Sequence, residues 1–175
     1  MVIAKYGGKP FKRFPFLFRA PDTRLKPGVN EMKLLLSLTA EGVSSSKMKA
    51  VYKSTWPYQD DAMNLPVENL ESAIPFYESV MGFNVVSRNQ SPHKSAVLGR
   101  DDIQIGLAEN GGDPTQDGCF FEVDNAEAAF AELKANGLPK DDAEFRVDTY
   151  GDKSFKVFFV VAPDGLCYCL GERQK

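Results

Sequence analysis

The residues able to do chemistry are few. His93 is the only imidazole in 175 residues, and Cys119, Cys167 and Cys169 are the only thiols. A single histidine excludes sites built from several imidazoles, which covers most catalytic zinc and non-haem iron centres. His93 sits between Pro92 and Lys94 and reads as a solvated turn residue, with no visible partner for acid–base work. Cys167 and Cys169 are two apart, so on a strand both face the same way. Cys119 has the parity of Val123 and turns to the opposite face, so the three thiols do not converge as metal ligands. Buried free cysteine most often serves as a small hydrophobe. Glu122 could be a buried base with a raised pKa, although solvated surface is the plainer reading of a glutamate near a strand end.

The chain that must position these groups divides by charge. Residues 1–50 hold ten Lys/Arg against three Asp/Glu, whereas residues 51–175 hold eleven against twenty-one. Residues 1–47 read as a basic extension: the run Lys9 to Arg19 mixes cations and aromatics with prolines and has no helical period. The apolar stretch from Met32 to Ala40 is short and internal for a signal peptide. An organelle-targeting segment or a nucleic-acid tail would share this composition; an extension preceding a folded unit that starts at Met48 is the plainer reading. The acidic remainder would repel phosphate backbones, which disfavours nucleic acid as the main partner. No apolar run approaches the roughly 20 residues needed to span a bilayer. Three cysteines without framework spacing point to a reducing, cytoplasmic compartment.

Residues 48–175 contain one unit written twice. Ala62 to Asn69 alternates apolar residues at 63, 65 and 67, the period of a half-buried strand, and Gly118 to Asn125 repeats the pattern 56 residues later. Asn69 caps a helix whose apolar stripe is Leu70, Ala73, Ile74, Tyr77 and Met81, closed by Gly82. Pro75 inside that stretch implies a kink or a late helix start. Asp124 or Asn125 caps the second helix, with the stripe Ala126, Ala129, Phe130 and Leu133 and closure at Gly137. Three short strands follow each helix: Phe83–Arg88, Lys94–Leu98 and Ile103–Leu107, then Glu144–Val147, Phe155–Val161 and Leu166–Leu170. The expected fold is α+β, two βαβββ modules at about 60–110 and 117–172. Their mixed sheets form a curved cradle with the helices on the outer face.

The string from Val67 to Phe83 (Val-x-Asn-Leu, then Phe-Tyr-Glu and Met-Gly-Phe), together with Ala162-Pro163-Asp164-Gly165 before the last strand, resembles the vicinal oxygen chelate superfamily. That superfamily holds glyoxalase I, bleomycin-resistance proteins and extradiol dioxygenases. The resemblance covers about residues 60–172. It implies metal-ligand positions on the first and fourth strands of each module, which fall here on Ala62, Gly106, Gly118 and Cys169. Alanine and glycine offer no donor, so the expectation is a metal-free protein without cofactor. The resemblance also implies a homodimer.

Strand parity then nominates a pocket lining. Asn64 and Gln104 supply neutral donors and acceptors, Phe120 a stacking face, and Glu122, Cys167 and Cys169 share its parity. Tyr150, with Trp56 and Tyr58 near the strand ends, reads as a lid, a satellite core or a dimer contact. Small residues at the former ligand positions are expected to leave volume for an uncharged or mildly cationic organic ligand. Three functions follow. The first is a metal-free small-molecule-binding protein of the bleomycin-resistance type, the second a superfamily lyase, isomerase or dioxygenase with non-standard ligands, and the third a degenerate dimerisation module. Ligand identity, and whether any reaction is catalysed, do not follow from the residues.

Overall fold

The structure, a computed structural model, describes residues 49–175. The expectation of a basic extension over residues 1–47 lies outside the described residues. Among the described residues nine strands and two α-helices follow in the order β1 (Tyr52–Pro57), β2 (Leu65–Pro66), α1 (Leu70–Ser79), β3 (Asn84–Asn89), β4 (Ser95–Arg100), β5 (Ile103–Ala108), β6 (Gly118–Val123), α2 (Ala126–Ala135), β7 (Arg146–Tyr150), β8 (Lys153–Val161) and β9 (Cys167–Arg173), with a short 3-10 turn at Pro114–Gln116 before β6. Strands β2 to β5 with α1, and β6 to β9 with α2, are the two βαβββ modules. In each, the first strand runs parallel to the last and the others pair antiparallel. One sheet has the order β2-β5-β4-β3, the other β1-β6-β9-β8-β7.

Both helices begin as their sequence requires. The Asn69 side chain accepts from the Ser72 amide at 2.9 Å, and the Asn125 side chain accepts from the Ala128 amide at 2.7 Å, so each cap satisfies an otherwise orphan donor. Helix α1 starts at Leu70 and runs through Pro75 to Ser79, so the late start does not occur. Gly82 and Gly137 follow the helices with φ of 72° and 103°, a region that side chains with a Cβ seldom enter. Among the described residues no helix is long and apolar enough to cross a membrane.

Two departures from the sequence reading shape the site. The expected strand over 62–69 contracts to Leu65–Pro66, because residues 61–64 form a turn in which Asp61 Oδ1 accepts from the Met63 amide at 2.8 Å. The other is β1, which the sequence pattern did not reveal. It pairs antiparallel with β6 and adds a fifth strand to the second sheet, with a register shift between Tyr52 and Ser54. That bulge breaks the two-residue period, turning Tyr52 into the core while Ser54 and Trp56 face the other side.

The helix-facing residues of both sheets merge into one core. Phe83 lies against Phe121, with ring centroids 5.9 Å apart. The Tyr77 hydroxyl on α1 meets the Tyr168 hydroxyl on β9 at 2.9 Å and donates to Asp164 at 2.8 Å. The modules are also tied by a buried ion pair. Arg100 Nη2 donates to both Glu132 oxygens at 2.9 and 2.8 Å and to the Ala50 carbonyl at 3.0 Å, and Nη1 donates to the Met81 carbonyl. Glu132 in turn accepts from the Ala50 amide at 2.9 Å, and the guanidinium lies 4.0 Å from the centre of the Tyr52 ring. The polar groups of this pair are thus closely matched, which a buried pair needs to offset its desolvation.

Candidate functional site

The face of the five-stranded sheet turned away from the helices carries an aromatic cluster. Alternation along β6, β8 and β9 sends Phe121, Val123, Phe158, Val160, Tyr168 and Leu170 into the core, so Phe120, Phe155 and Phe159 project on the opposite side. Register places Trp56 opposite Phe120, and Asp148 opposite Phe155. Ring centroids lie 5.2 Å apart for Trp56 and Phe120, 5.2 Å for Phe120 and Phe155, 6.5 Å for Phe120 and Tyr150, and 6.2 Å for Tyr150 and Phe155. Gly171 makes room for this packing, since a Cβ there would fall 2.5 Å from the tip of the Phe120 ring. Phe120 is almost wholly enclosed at 1% exposure, whereas Trp56 stays 41% exposed and Val161, of the same parity, 56%. An exposed indole resting on a buried phenyl is a ready stacking platform for a flat ring.

Polar groups rim the cluster. Ser54 donates to Glu122 at 3.1 Å at one end. At the other, Asp148 accepts from Arg146 at 3.0 Å and from the Tyr150 hydroxyl at 3.1 Å, while the Arg146 guanidinium sits 4.7 Å from the centre of the Phe159 ring. Burial, with the neighbouring Asp148 charge, raises the Tyr150 pKa above the ordinary phenol value, so this hydroxyl remains a donor at neutral pH.

Five of the seven nominated residues come together here: Phe120, Glu122, Tyr150, Cys167 and Cys169 share this face. The other two do not join them. Asn64 is exposed in the 61–64 turn, where its parity argument fails for want of a strand, and its backbone carbonyl accepts from Asn110 Nδ2 at 2.9 Å. Gln104 is exposed on the four-stranded sheet, beside a shallow depression of about 430 Å³ that it shares with Asn84, Val86 and Gly99. Trp56 belongs to β1 and packs against the sheet face, its ring tilted 32° to that of Phe120 and edge-on to that of Phe155.

The three thiols stay protonated at neutral pH. Burial raises all three, Cys119 to about 12, with Cys167 and Cys169 also above the ordinary thiol range. Cys119 points into the core as its parity requires. Of the four positions the resemblance assigns to metal ligands, only Cys169 carries a donor atom. The expectation that the small residues leave volume is corrected. A Cβ on Gly106 would lie 2.0 Å from the Met63 carbonyl oxygen, and one on Gly118 would lie 1.7 Å from the Cys167 carbonyl oxygen. Main chain fills both spaces.

The sequence matches the family model of the Glyoxalase/Bleomycin resistance protein/Dioxygenase superfamily over residues 60–166. A search of curated proteins found no match. Among solved structures, a protein from the mobile metagenome of V. pseudocholerae is 18% identical, with a TM-score of 0.52 over 67% of this chain and 95% of that one. A bleomycin resistance determinant encoded on transposon Tn5 is 23% identical, with a TM-score of 0.49 over 67% of this chain and all of the other. A virulence protein from Salmonella typhimurium is 18% identical, with a TM-score of 0.49 over 65% and 95%. With the family match spanning more than half of the sequence and the paired βαβββ modules in place, the chain belongs to the Glyoxalase/Bleomycin resistance protein/Dioxygenase superfamily.

Proposed function

We propose that the folded unit of residues 48–175 binds a small, flat, uncharged or mildly cationic organic molecule on the aromatic face of its five-stranded sheet, without a metal. The observation that carries this reading is the arrangement of Trp56 over Phe120, Phe155 and Tyr150: three rings fixed by packing, and one indole left open to solvent. Rigid rings lose little conformational freedom when a ligand stacks on them, so preorganisation favours binding. The Asp148 carboxylate is paired with Arg146, while Glu122 accepts from the neutral Ser54 hydroxyl, so the rim suits an uncharged or mildly cationic ligand oriented by hydrogen bonds. A metal-dependent lyase or dioxygenase reading lacks donors at three of the four family positions.

A homodimer is in keeping with the family resemblance, and exposed Val161 beside the aromatic face would lie at its edge. Three free cysteines suit a reducing, cytoplasmic compartment. Trp56 is the only tryptophan in the sequence, so its emission reports this face alone. Titration with planar aromatic compounds is expected to give saturable quenching, and Phe120→Ala is expected to weaken the apparent affinity by about tenfold by removing the buried ring on which Trp56 rests. Saturable binding with unchanged affinity in Phe120→Ala would overturn the assignment.

A further inference from the structure

We infer that the Asp61–Asn64 turn is an intrachain plug seated on Gly106, closing by main chain the place where the four-stranded sheet would present a ligand donor. This inference rests on the reading of the aromatic face only in that it leaves that face as the open one. Ile103, Ile105 and Leu107 of β5 point into the core, so the Gly106 Cα hydrogen that replaces a side chain points to the opposite, helix-free side. There it meets the Met63 backbone: a Cβ would lie 2.0 Å from the carbonyl oxygen, 2.5 Å from the carbonyl carbon and 2.9 Å from Cα. No side-chain rotation relieves contacts of that kind, since all three atoms are backbone.

The plug is held on both sides. The Gly106 amide donates to the Ala62 carbonyl at 2.9 Å, which fixes the start of the turn against β5. Asn110 latches the far end of the turn by donating to the Asn64 carbonyl at 2.9 Å, and its own Oδ1 accepts from the Gly112 amide at 2.9 Å. Asp61 closes the turn internally through the Met63 amide. Met63, whose backbone forms the seat, sends its side chain outward and is 43% exposed. The site is therefore closed by geometry, and restoring a donor to the sequence does not reopen it.

Two measurements test this. In amide hydrogen exchange on the wild-type chain, Gly106 is expected to be at least about 100-fold more protected than Gly111, whose loop position has nothing against it. Gly106→His is expected to lower the Tm by about 5 °C or more through overpacking, with no recovery on adding zinc or nickel. A Gly106 amide that exchanges as fast as Gly111 would overturn the plug, and so would a Gly106→His chain that keeps its Tm or gains stability from a stoichiometric metal ion. Should Gly106→His fail to fold, the wild-type exchange result stands alone as the arbiter. Neither readout involves Trp56, so the plug can fail while the aromatic-face reading survives, and the reverse.

Discussion

The buried Arg100–Glu132 pair gives the sharpest stability prediction. Glu132→Leu leaves the guanidinium enclosed without its carboxylate and leaves the Ala50 amide without an acceptor, with Asp101 at 3.5 Å as the remaining anion. Arg100→Leu does the reverse, stranding Glu132 and taking the donor from the carbonyls of Ala50 and Met81. Breaking one side of a buried pair costs about 3–5 kcal/mol, so each single variant is expected to lose that much in urea unfolding, and their sum is about 6–10 kcal/mol. The double variant has no stranded charge. What it retains is the loss of hydrogen bonds to three backbone groups, about 1–3 kcal/mol for each group left buried and unsatisfied. Taking the middle of each range, about 6 against about 8 kcal/mol, it should therefore fall about 2 kcal/mol short of the sum of the singles. Losses that add to within about 0.5 kcal/mol would refute the reasoning, because they would mean the two groups do not share one energetic unit.

Two smaller perturbations probe the same core. The Tyr52 hydroxyl is fully buried and has no hydrogen-bond partner among the described residues, so Tyr52→Phe is expected to leave stability unchanged or raise it by about 1 kcal/mol in urea unfolding; a clear loss would reveal a partner. Burial raises the Asp164 carboxyl pKa above its ordinary value, so the folded chain binds that proton more tightly than the unfolded chain. Its contribution is then greatest below the unfolded pKa, near 4, and is lost as pH rises through the elevated folded value. Comparing wild type with Asp164→Asn in urea unfolding across that window should show the wild type losing stability relative to the variant as pH rises, and a difference that does not change with pH would contradict the burial argument.

Much of the fold was legible because local signals agreed with one another. Asn69 and Asn125 cap in the positions their spacing gives, the apolar stripes from Leu70 and Ala126 face the core, and Gly137 directly follows the C-cap of the second helix, whereas the first already ends at Ser79 with Val80 as its C-cap, ahead of the expected Gly82. What escaped notice did so for physical reasons. Strand β1 hides behind a bulge that shifts parity between Tyr52 and Ser54, so no two-residue alternation marks it. The apolar alternation at 63, 65 and 67 is real, but Asp61 captures the Met63 amide and curls the first half into a turn, which removes Asn64 from the expected lining. Parity served well wherever strands were long. It placed Phe120, Glu122, Cys167 and Cys169 on one face, and it separated Cys119 from the other two thiols. Composition alone could not show whether glycine at 106 means empty space or close backbone approach, since glycine permits both.

Whether a guest binds on the aromatic face of the five-stranded sheet is decided by pairing two readouts on one ligand. Any planar compound that raises the Tm of the wild-type chain is titrated while the emission of Trp56 is followed. Saturable quenching is expected at the same concentrations that stabilise the protein, with loss of the stabilisation in Trp56→Ala. A compound that stabilises the chain yet leaves Trp56 emission unchanged, and stabilises Trp56→Ala equally well, would place the binding elsewhere.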